Sequence, residues 1–257
     1  MEYAISILLS GISVGGQYAL IAIGYTMVYG ILRLINFAHG DVFMVAGLVG
    51  IYLSGSMPLY ISMPLVIVIT AILAFFIERV AYRPLRQAPR MSVMISAIGV
   101  SYLLQNAATY VTGGQPMTYP AIPGLSDTVT IAGTPVKWVV ILTPILVVIL
   151  VLLLTLLINR TKVGMAMRAV SKDFETSQLM GIRINAVISM TFVIGCFLAA
   201  IGSLLYFTNY PSVIPTSGSM PGLKAFVAAV FGGIGSIPGA VVGAFIIGLC
   251  EEVSLRS

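Results

Sequence analysis

The segment WVVILTPILVVILVLLLTLLI, residues 138–158, contains no charged side chain. A helix that crosses the hydrocarbon core of a bilayer needs about 20 mostly apolar residues. This segment therefore predicts a membrane-spanning helix. Four other apolar segments of similar length predict further spans, and these are Ala4–Tyr29, Pro58–Ile77, Ser92–Val111 and Ala186–Phe207.

The composition of the whole chain also indicates a membrane protein. Of the 257 residues, 59% are hydrophobic and only 8% are charged, whereas a soluble domain is about a quarter charged. The net charge of +5 does not indicate a nucleic-acid partner, because the basic residues lie in short runs between apolar segments. Cys196 and Cys250 lie inside apolar runs, so we expect no disulfide framework, metal site or cofactor.

Two apolar segments are harder to interpret. Val42–Leu53 is short for a span, and Gly222–Cys250 is interrupted by GGIGSIPG. Broken helices occur at membrane depth where the backbone lines a cavity or packs inside protein. One kinked span and a re-entrant half-helix followed by a span both stay open. The residues expected to break this helix are Gly232, Gly233, Gly235, Pro238, Gly239 and Gly243.

These segments together predict an all-α, polytopic membrane bundle with about seven to eight spans or half-spans. Two connections are rich in basic residues, the first with Arg79, Arg83, Arg86 and Arg90 and the second with Arg160, Lys162, Arg168, Lys172 and Arg183. By the positive-inside rule both connections are cytoplasmic, and the Thr- and Pro-rich connection Thr112–Lys137 is outside. Counting back along the spans places the N-terminus outside.

The long basic connection, residues 159–185, predicts a short helix over Ser171–Met180. Ser171 is suited to the N-cap, Asp173 and Glu175 to the first turn, and Gly181 to the left-handed position after the helix. The segment could lie on the inner leaflet as an amphipathic helix. Its capped, compact length favours instead a docking helix for a cytoplasmic partner. The sequence contains no G-x-x-x-x-G-K-[ST] loop, so the energy for any transport would come from a gradient or from another subunit.

The stretch RLINFAHGD, residues 33–41, concentrates polar side chains in a chain where they are rare. In one interpretation Asn36 and Asp41 cap free backbone groups where the first span ends, and Gly40 makes the turn. In a second, the stretch lies on the translocation path, because ionisable residues within a membrane commonly mark functional sites. In a third, His39 relays protons. The capping interpretation is favoured, and Arg33 is taken as a cytoplasmic anchor.

Two further polar features lie in or beside the spans. Gln105 and Asn106 fall in the middle of the fourth apolar segment, where a buried amide must be hydrogen-bonded. They either join helices or line the translocation path. Glu78 beside Arg79 predicts an ion pair at the membrane boundary.

Several motifs together carry a family resemblance over nearly the whole chain. They are LINFAHGDVFM after a Gly-rich first span, ERVAYRPLR, ISAIGVSYLLQN, VGMAMRAVSKDFETSQLMGI and AVFGGIGSIPGAVVGAFIIGLCEE. In these motifs the sequence resembles the LivH-type permeases of branched-chain amino acid ABC transporters, which are inner-membrane components of binding-protein-dependent importers.

The resemblance implies a type II ABC importer-like permease with no enzyme activity of its own, in the inner membrane of a bacterial cell. It implies four partners in the complex: a second homologous permease, two cytoplasmic ABC ATPases and a periplasmic or extracellular substrate-binding protein. It also identifies an ATPase-coupling segment, with Arg168, Ser171, Asp173, Phe174, Glu175, Leu179 and Gly181 as its candidate residues.

The function implied is ATP-driven import of leucine, isoleucine and valine. A permease for urea or short-chain amides in the same family is the alternative, and a gradient-driven secondary transporter is the alternative from another class. The chain is expected to be one transmembrane permease domain, residues 1–257. Relatives usually continue past the Glu251–Glu252 pair with another span, so we expect this sequence to be truncated at its C-terminus.

Overall fold

The computed structural model describes residues 2–86, 88–131 and 134–256. In this part of the chain seven helices are long and apolar enough to cross a membrane. They are α1 (Glu2–Leu32), α2 (Ala38–Ser56), α3 (Leu59–Ile77), which continues into a π-helical turn (Glu78–Tyr82), α4 (Arg90–Thr112), α5 (Trp138–Arg160), α8 (Ile184–Asn209) and α10 (Ile237–Arg256).

Shorter elements occupy the connections. Between α5 and α8 lie α6 (Lys162–Lys172) and α7 (Phe174–Leu179), and α9 (Ser219–Phe231) precedes α10. Two small antiparallel sheets lie at the end of the bundle opposite to α6 and α7. One is formed by β1 (Met117–Thr118) and β4 (Ser212–Val213), and the other by β2 (Thr128–Ile131) and β3 (Thr134–Lys137).

The predicted helical membrane bundle is confirmed, and both doubtful segments are resolved. Val42–Leu53 is the centre of the longer helix α2. The Gly222–Cys250 segment covers most of α9 and α10, which are separated by a break at residues 232–236. Because α9 has 13 residues and rises about 20 Å, it is too short to cross about 30 Å of hydrocarbon. The structure therefore shows a half-helix followed by a helix of spanning length.

Arg86 brings the two arginine-rich connections together at one end of the bundle, which we call the basic end. Its guanidinium pairs with Glu78 of the π-helical turn and donates to the side chain of Asn185 at the start of α8. The predicted pairing of Glu78 with Arg79 was wrong, because neighbouring residues on a helix do not face each other. The buried Glu78 also accepts a 2.6 Å hydrogen bond from Ser189 Oγ.

Small residues let α1 pack closely against α10 in the interior. A Cβ added to Gly15 would lie 2.7 Å from the Cα of Phe245, and one added to Gly11 would lie 3.0 Å from the Cα of Leu249. Such close backbone approach is how helices associate in lipid. Gly11 and Gly15 therefore serve helix packing.

The helix α2 begins inside the bundle rather than at its surface. Its His39 packs against Gly24 of α1, and α1 rises about 12 Å more from Gly24 to its end at Leu32. Residues 33–37 therefore run back along α1 into the bundle before α2 starts. The stretch re-enters from the basic end.

The half-helix α9 enters from the opposite end, where β4 lies. Its first turn crosses the first turn of α2 at Gly40, where a Cβ would lie 2.6 Å from the Gly218 carbonyl oxygen and 3.0 Å from the Gly222 Cα. The N-termini of two helices thus meet inside the bundle.

The break between α9 and α10 depends on its glycines. Gly233 and Gly235 have φ values of 92° and 99°, a conformation that only glycine adopts without strain. Pro238 lies in the first turn of α10, where proline is tolerated. Close packing of Gly232 on Gly239 and of Gly243 on Ala228 holds the two helices together.

Candidate translocation site and coupling segment

The turn after α1 is made by Arg33, not by Gly40 as predicted. Arg33 has a φ of 52°, in the left-handed region, and its amide donates to the Tyr29 carbonyl at 2.8 Å. Gly40 lies within α2, where its missing side chain allows α9 to approach. The glycine thus serves helix packing, and a non-glycine residue carries the turn.

The capping interpretation of Asn36 and Asp41 was also wrong. The residue before α2 is Phe37, and no side chain among the described residues caps this helix end. The side chain of Asn36 instead accepts a hydrogen bond from the hydroxyl of Tyr82 in the π-helical turn. Because both residues are buried, this bond anchors the re-entrant stretch to the end of α3.

His39 fills a socket between α1 and α8. Its ring packs against Gly24, and a Cβ added to Gly195 of α8 would lie 3.2 Å from the Gly24 Cα. The Nδ1 atom lies 3.7 Å from the Cys196 sulfur, and the Tyr25 ring contacts the imidazole edge at a centroid distance of 5.0 Å. The socket is tight and buried, which indicates packing rather than a proton path.

A polar cluster forms where α2, α4 and α9 meet. Gln105 of α4 donates through Nε2 to Asp41 Oδ1 at 3.0 Å, and the same nitrogen lies 3.3 Å from Ser219 Oγ and 3.4 Å from Ser101 Oγ. Asp41 is only 2% exposed, while Ser219 is exposed. The cluster thus connects a buried carboxylate with the surface of the chain, beside the crossing of the two helix N-termini.

The structure does not bring all the predicted path residues into this cluster. Asn106 donates to the Tyr102 carbonyl of its own helix at 2.7 Å. Asn36 and His39 contact other elements, as described above. Of the six predicted residues, Gly40, Asp41 and Gln105 share one site.

The coupling segment folds differently from the prediction. A single helix over Ser171–Met180 was wrong, because α6 ends at Lys172 and α7 begins at Phe174. Ser171 lies in the last turn of α6 and donates to the Arg168 carbonyl at 2.9 Å. Asp173 is the N-cap, accepting from the amides of Glu175 and Thr176 at 3.0 and 3.2 Å.

Asp173 is suited to capping because its carboxylate is ionised. Hydrogen bonds from the Thr176 hydroxyl and from the Thr176 and Glu175 amides hold the pKa of Asp173 below its ordinary value. A charged acceptor at a helix N-terminus is also favoured by the helix dipole. The predicted left-handed conformation of Gly181 is confirmed by its φ of 82°.

The apolar residues of this segment divide into a buried set and an exposed set. Met167 and Val170 of α6 are buried against the bundle. Leu179 and Met180, at the end of α7, are 87% and 79% exposed. Arg168 is tied back to the end of α5 by a 3.0 Å hydrogen bond to Asn159. The segment thus presents an apolar tip on an anchored base.

Several residues of these sites did not emerge from the sequence. Tyr82, Ser101 and Ser219 are ordinary members of apolar segments, and only the fold makes them partners of Asn36 and Gln105. Gly218 and Gly222 carried a signal, since they have the same four-residue spacing as Gly11 and Gly15.

Seven helices of spanning length and a buried polar site between two re-entrant segments define a multi-pass membrane protein. The chain belongs to the family described as branched-chain amino acid transport system / permease component, whose model matches residues 7–256.

Curated relatives agree with this family. The high-affinity branched-chain amino acid transport system permease protein BraD of Pseudomonas aeruginosa is 42% identical over 258 residues, covering 95% of this chain and 84% of the relative. The LivH protein of Escherichia coli K12, of the same description, is 39% identical over 268 residues, with 98% and 86% covered. The ribose import permease protein RbsC of Haemophilus influenzae is 25% identical over 244 residues, with 91% and 72% covered. No solved structure matches the chain.

Proposed function

We propose that this chain is the membrane-spanning permease of an ATP-driven importer for leucine, isoleucine and valine. The observation that carries the proposal is the near-full-length similarity to BraD and LivH, whose names specify high-affinity branched-chain amino acid transport. Residues 1–257 would act as one permease domain with a coupling segment at residues 159–185.

The complex would contain a second homologous permease, two ABC ATPases and a substrate-binding protein. The basic end would face the cytoplasm, where the positive-inside rule places arginine-rich connections, and the N-terminus would be outside, in a bacterial inner membrane. The joining of both arginine-rich connections at one end through Arg86 supports this orientation.

The tip of α7 would dock on an ATPase. An exposed Leu179 and Met180 on a capped helix provide a compact apolar contact, and such contacts are costly to leave in water. The base of the segment packs on α1, α5 and α8 through α6. Movement of the tip would therefore be transmitted through α6 to α1 and α8, which hold the re-entrant stretch. ATP hydrolysis could in this way change the shape of the translocation path.

The Asp41–Gln105–Ser219 cluster would lie on the translocation path. An amino acid carries one ammonium and one carboxylate group. The carboxylate of Asp41 would bind the ammonium group. The N-termini of α2 and α9, with their partial positive charge, would bind the substrate carboxylate. The glycine break between α9 and α10 would let this site change shape as the path opens on either side.

Reconstituted transport tests the energy source and the substrate together. The permease with its partners is placed in liposomes, and uptake of radiolabelled leucine is measured with internal or external ATP as the topology requires. We expect concentrative leucine uptake with ATP and none with a pH gradient alone. Uptake driven by the pH gradient would overturn the proposal of ATP-driven import. Preferred uptake of urea or acetamide over leucine would overturn the assignment of branched-chain amino acids as substrates.

The coupling role predicts that Leu179→Asp lowers ATP-driven uptake by about tenfold or more, because a charge would replace a buried apolar contact at the ATPase interface. Leu179→Met serves as the matched control, since it keeps an apolar side chain of similar volume. Co-purification of the ATPases with each variant is measured alongside uptake. Normal uptake by the Asp variant would show that this tip is not the docking contact.

A further inference from the structure

A large cavity of about 1390 Å³ opens at the basic end, beside the coupling segment. It is lined by the end of α3, its π-helical extension, α7 and the first turns of α8. None of the residues assigned above to the translocation cluster lines it. Phe174, Glu175 and Gly181 of the coupling segment belong to the lining, but the walls formed by α3 and the spanning part of α8 belong to neither proposed site.

Arginines line the cavity. Arg79, Arg83, Arg86 and Arg183 belong to the lining, against a single lining carboxylate, Glu175, among the described residues. Glu78, which does not line the cavity, forms an ion pair with Arg86 and with no other lining arginine among the described residues. The cavity thus carries an excess of positive charge, which suits an anionic ligand.

Arg86 also has a buried donor without an acceptor. Its Nε atom is inaccessible to solvent and has no hydrogen-bond partner among the described residues. Buried donors are normally satisfied. Since protein atoms cover this nitrogen, a ligand in the cavity cannot reach it, and the anion would be held by the accessible atoms of the lining arginines.

Most of the remaining lining is apolar and follows the membrane-spanning helices, with Gln178, Asn185 and Ser189 as polar exceptions. Along α8 it extends from Arg183 to Ile194, a rise of about 16 Å. Phe75 of α3 and Val93 of α4 contribute to the same wall, together with Val193. A site with arginines at the membrane boundary and an apolar wall along the spans matches a ligand with an anionic head and a hydrocarbon tail.

We propose that this cavity binds an anionic phospholipid from the leaflet at the basic end, with the phosphate beside the arginines and an acyl chain along α8. Basic pockets between membrane helices hold anionic head groups by this chemistry. A free phosphate would use the arginines but would leave the apolar wall empty. The inference requires a membrane-spanning chain and does not depend on ATP-driven import.

Native mass spectrometry of the permease, purified with its copurifying subunits in mild detergent, tests the proposal. Phosphatidylglycerol and phosphatidylethanolamine with identical acyl chains are added separately, and the bound fraction is measured. We expect selective retention of phosphatidylglycerol. The variant Arg79→Gln/Arg83→Gln should weaken its binding about tenfold or more, since each basic residue near a membrane surface attracts anionic lipid.

The matched control is Arg160→Gln/Lys162→Gln, which removes the same charge at the same end of the bundle outside the cavity. We expect it to retain phosphatidylglycerol. Equal loss in both double variants would reveal general surface attraction and overturn the cavity assignment. Unchanged binding in the arginine variant would overturn it as well.

Two further measurements distinguish the lipid from other occupants. Val193→Trp should lower phosphatidylglycerol binding, because it fills the apolar wall and leaves the arginines in place. Glycerophosphoglycerol, the head group without acyl chains, should not compete at equal concentration. Effective competition would make the ligand a small anion, and lipid binding only after the cytoplasmic subunits have been stripped from the complex would identify a protein contact instead. Either result would overturn the proposal.

Discussion

Two polar segments interrupt the spans of this protein, and they obtain their structure in opposite ways. The re-entrant stretch, residues 33–41, is stabilised by distant partners, among them Tyr82, Gln105 and Gly218. In the coupling segment, residues 159–185, α6 packs on the bundle, but α7 is capped by neighbours in sequence, such as Asp173 with Thr176. Substitutions in the first should therefore act on the whole bundle, whereas those in the second should act locally.

Gly40→Ala is the change with the largest expected effect on the fold. Its Cβ would meet the backbone of α9 at 2.6 and 3.0 Å, and overpacking against rigid backbone costs about 1–3 kcal/mol or more. We expect a marked fall in melting temperature and in folded yield, measured by thermal denaturation in detergent.

Gly55→Ala is the matched control for this change. It lies on the same helix, and its Cβ would have no atom within 4 Å among the described residues. We expect its melting temperature to be unchanged or slightly higher, since alanine favours a helix. A similar loss in both variants would show that the crossing at Gly40 is not the cause.

Tyr82→Phe should have an intermediate effect. The change removes the hydroxyl that donates to Asn36 and leaves a buried acceptor unpaired, which costs about 1–3 kcal/mol. Thermal denaturation measures the loss. Tyr110→Phe is the control, because Tyr110 is 90% exposed. If both tyrosines tolerate the change equally, the anchor between the stretch and α3 contributes little.

Asp173→Ala should have the smallest global effect and a clear local one. Loss of the cap should lower hydrogen-exchange protection of the α7 amides about fivefold without changing the melting temperature. Asp173→Asn keeps an acceptor and should retain most protection. A large fall in melting temperature would contradict the local character of this segment.

The same cap predicts how protection depends on pH. Because the folded pKa of Asp173 is lowered, the ionised cap is complete above the unfolded pKa and is lost only as the pH falls through the lower folded value. Protection of the Glu175 and Thr176 amides, corrected for intrinsic exchange, should therefore be constant from neutral pH to pH 5. A decline within that range would contradict the ionised cap.

The sequence predicted the fold class because the signal for each span is local. An uncharged run such as residues 138–158 must be a helix in lipid. Gly181 was likewise predictable, since a left-handed residue after a helix favours glycine. The position of the cap was missed because Ser171 and Asp173 are both good caps and only the fold distinguishes them.

The buried site was predicted only as a set of rare polar residues. Asn36, Asp41 and Gln105 attract attention because polar groups are costly inside a membrane. The hydrogen-bond partners of these residues could not be predicted, because they lie on other helices that are distant in sequence. The turn at Arg33 was missed for a different reason, because a left-handed conformation is expected at glycine and Arg33 is not a glycine.

The socket of His39 also constrains the order in which the chain can assemble. One wall is Gly24, made early in synthesis, and the other is Cys196, made more than a hundred residues later. The histidine cannot be enclosed until α8 has left the ribosome. Until then residues 33–41 can pair with Tyr82 and Gln105 but lack the wall that α8 provides, so the packing of this stretch is completed late in synthesis.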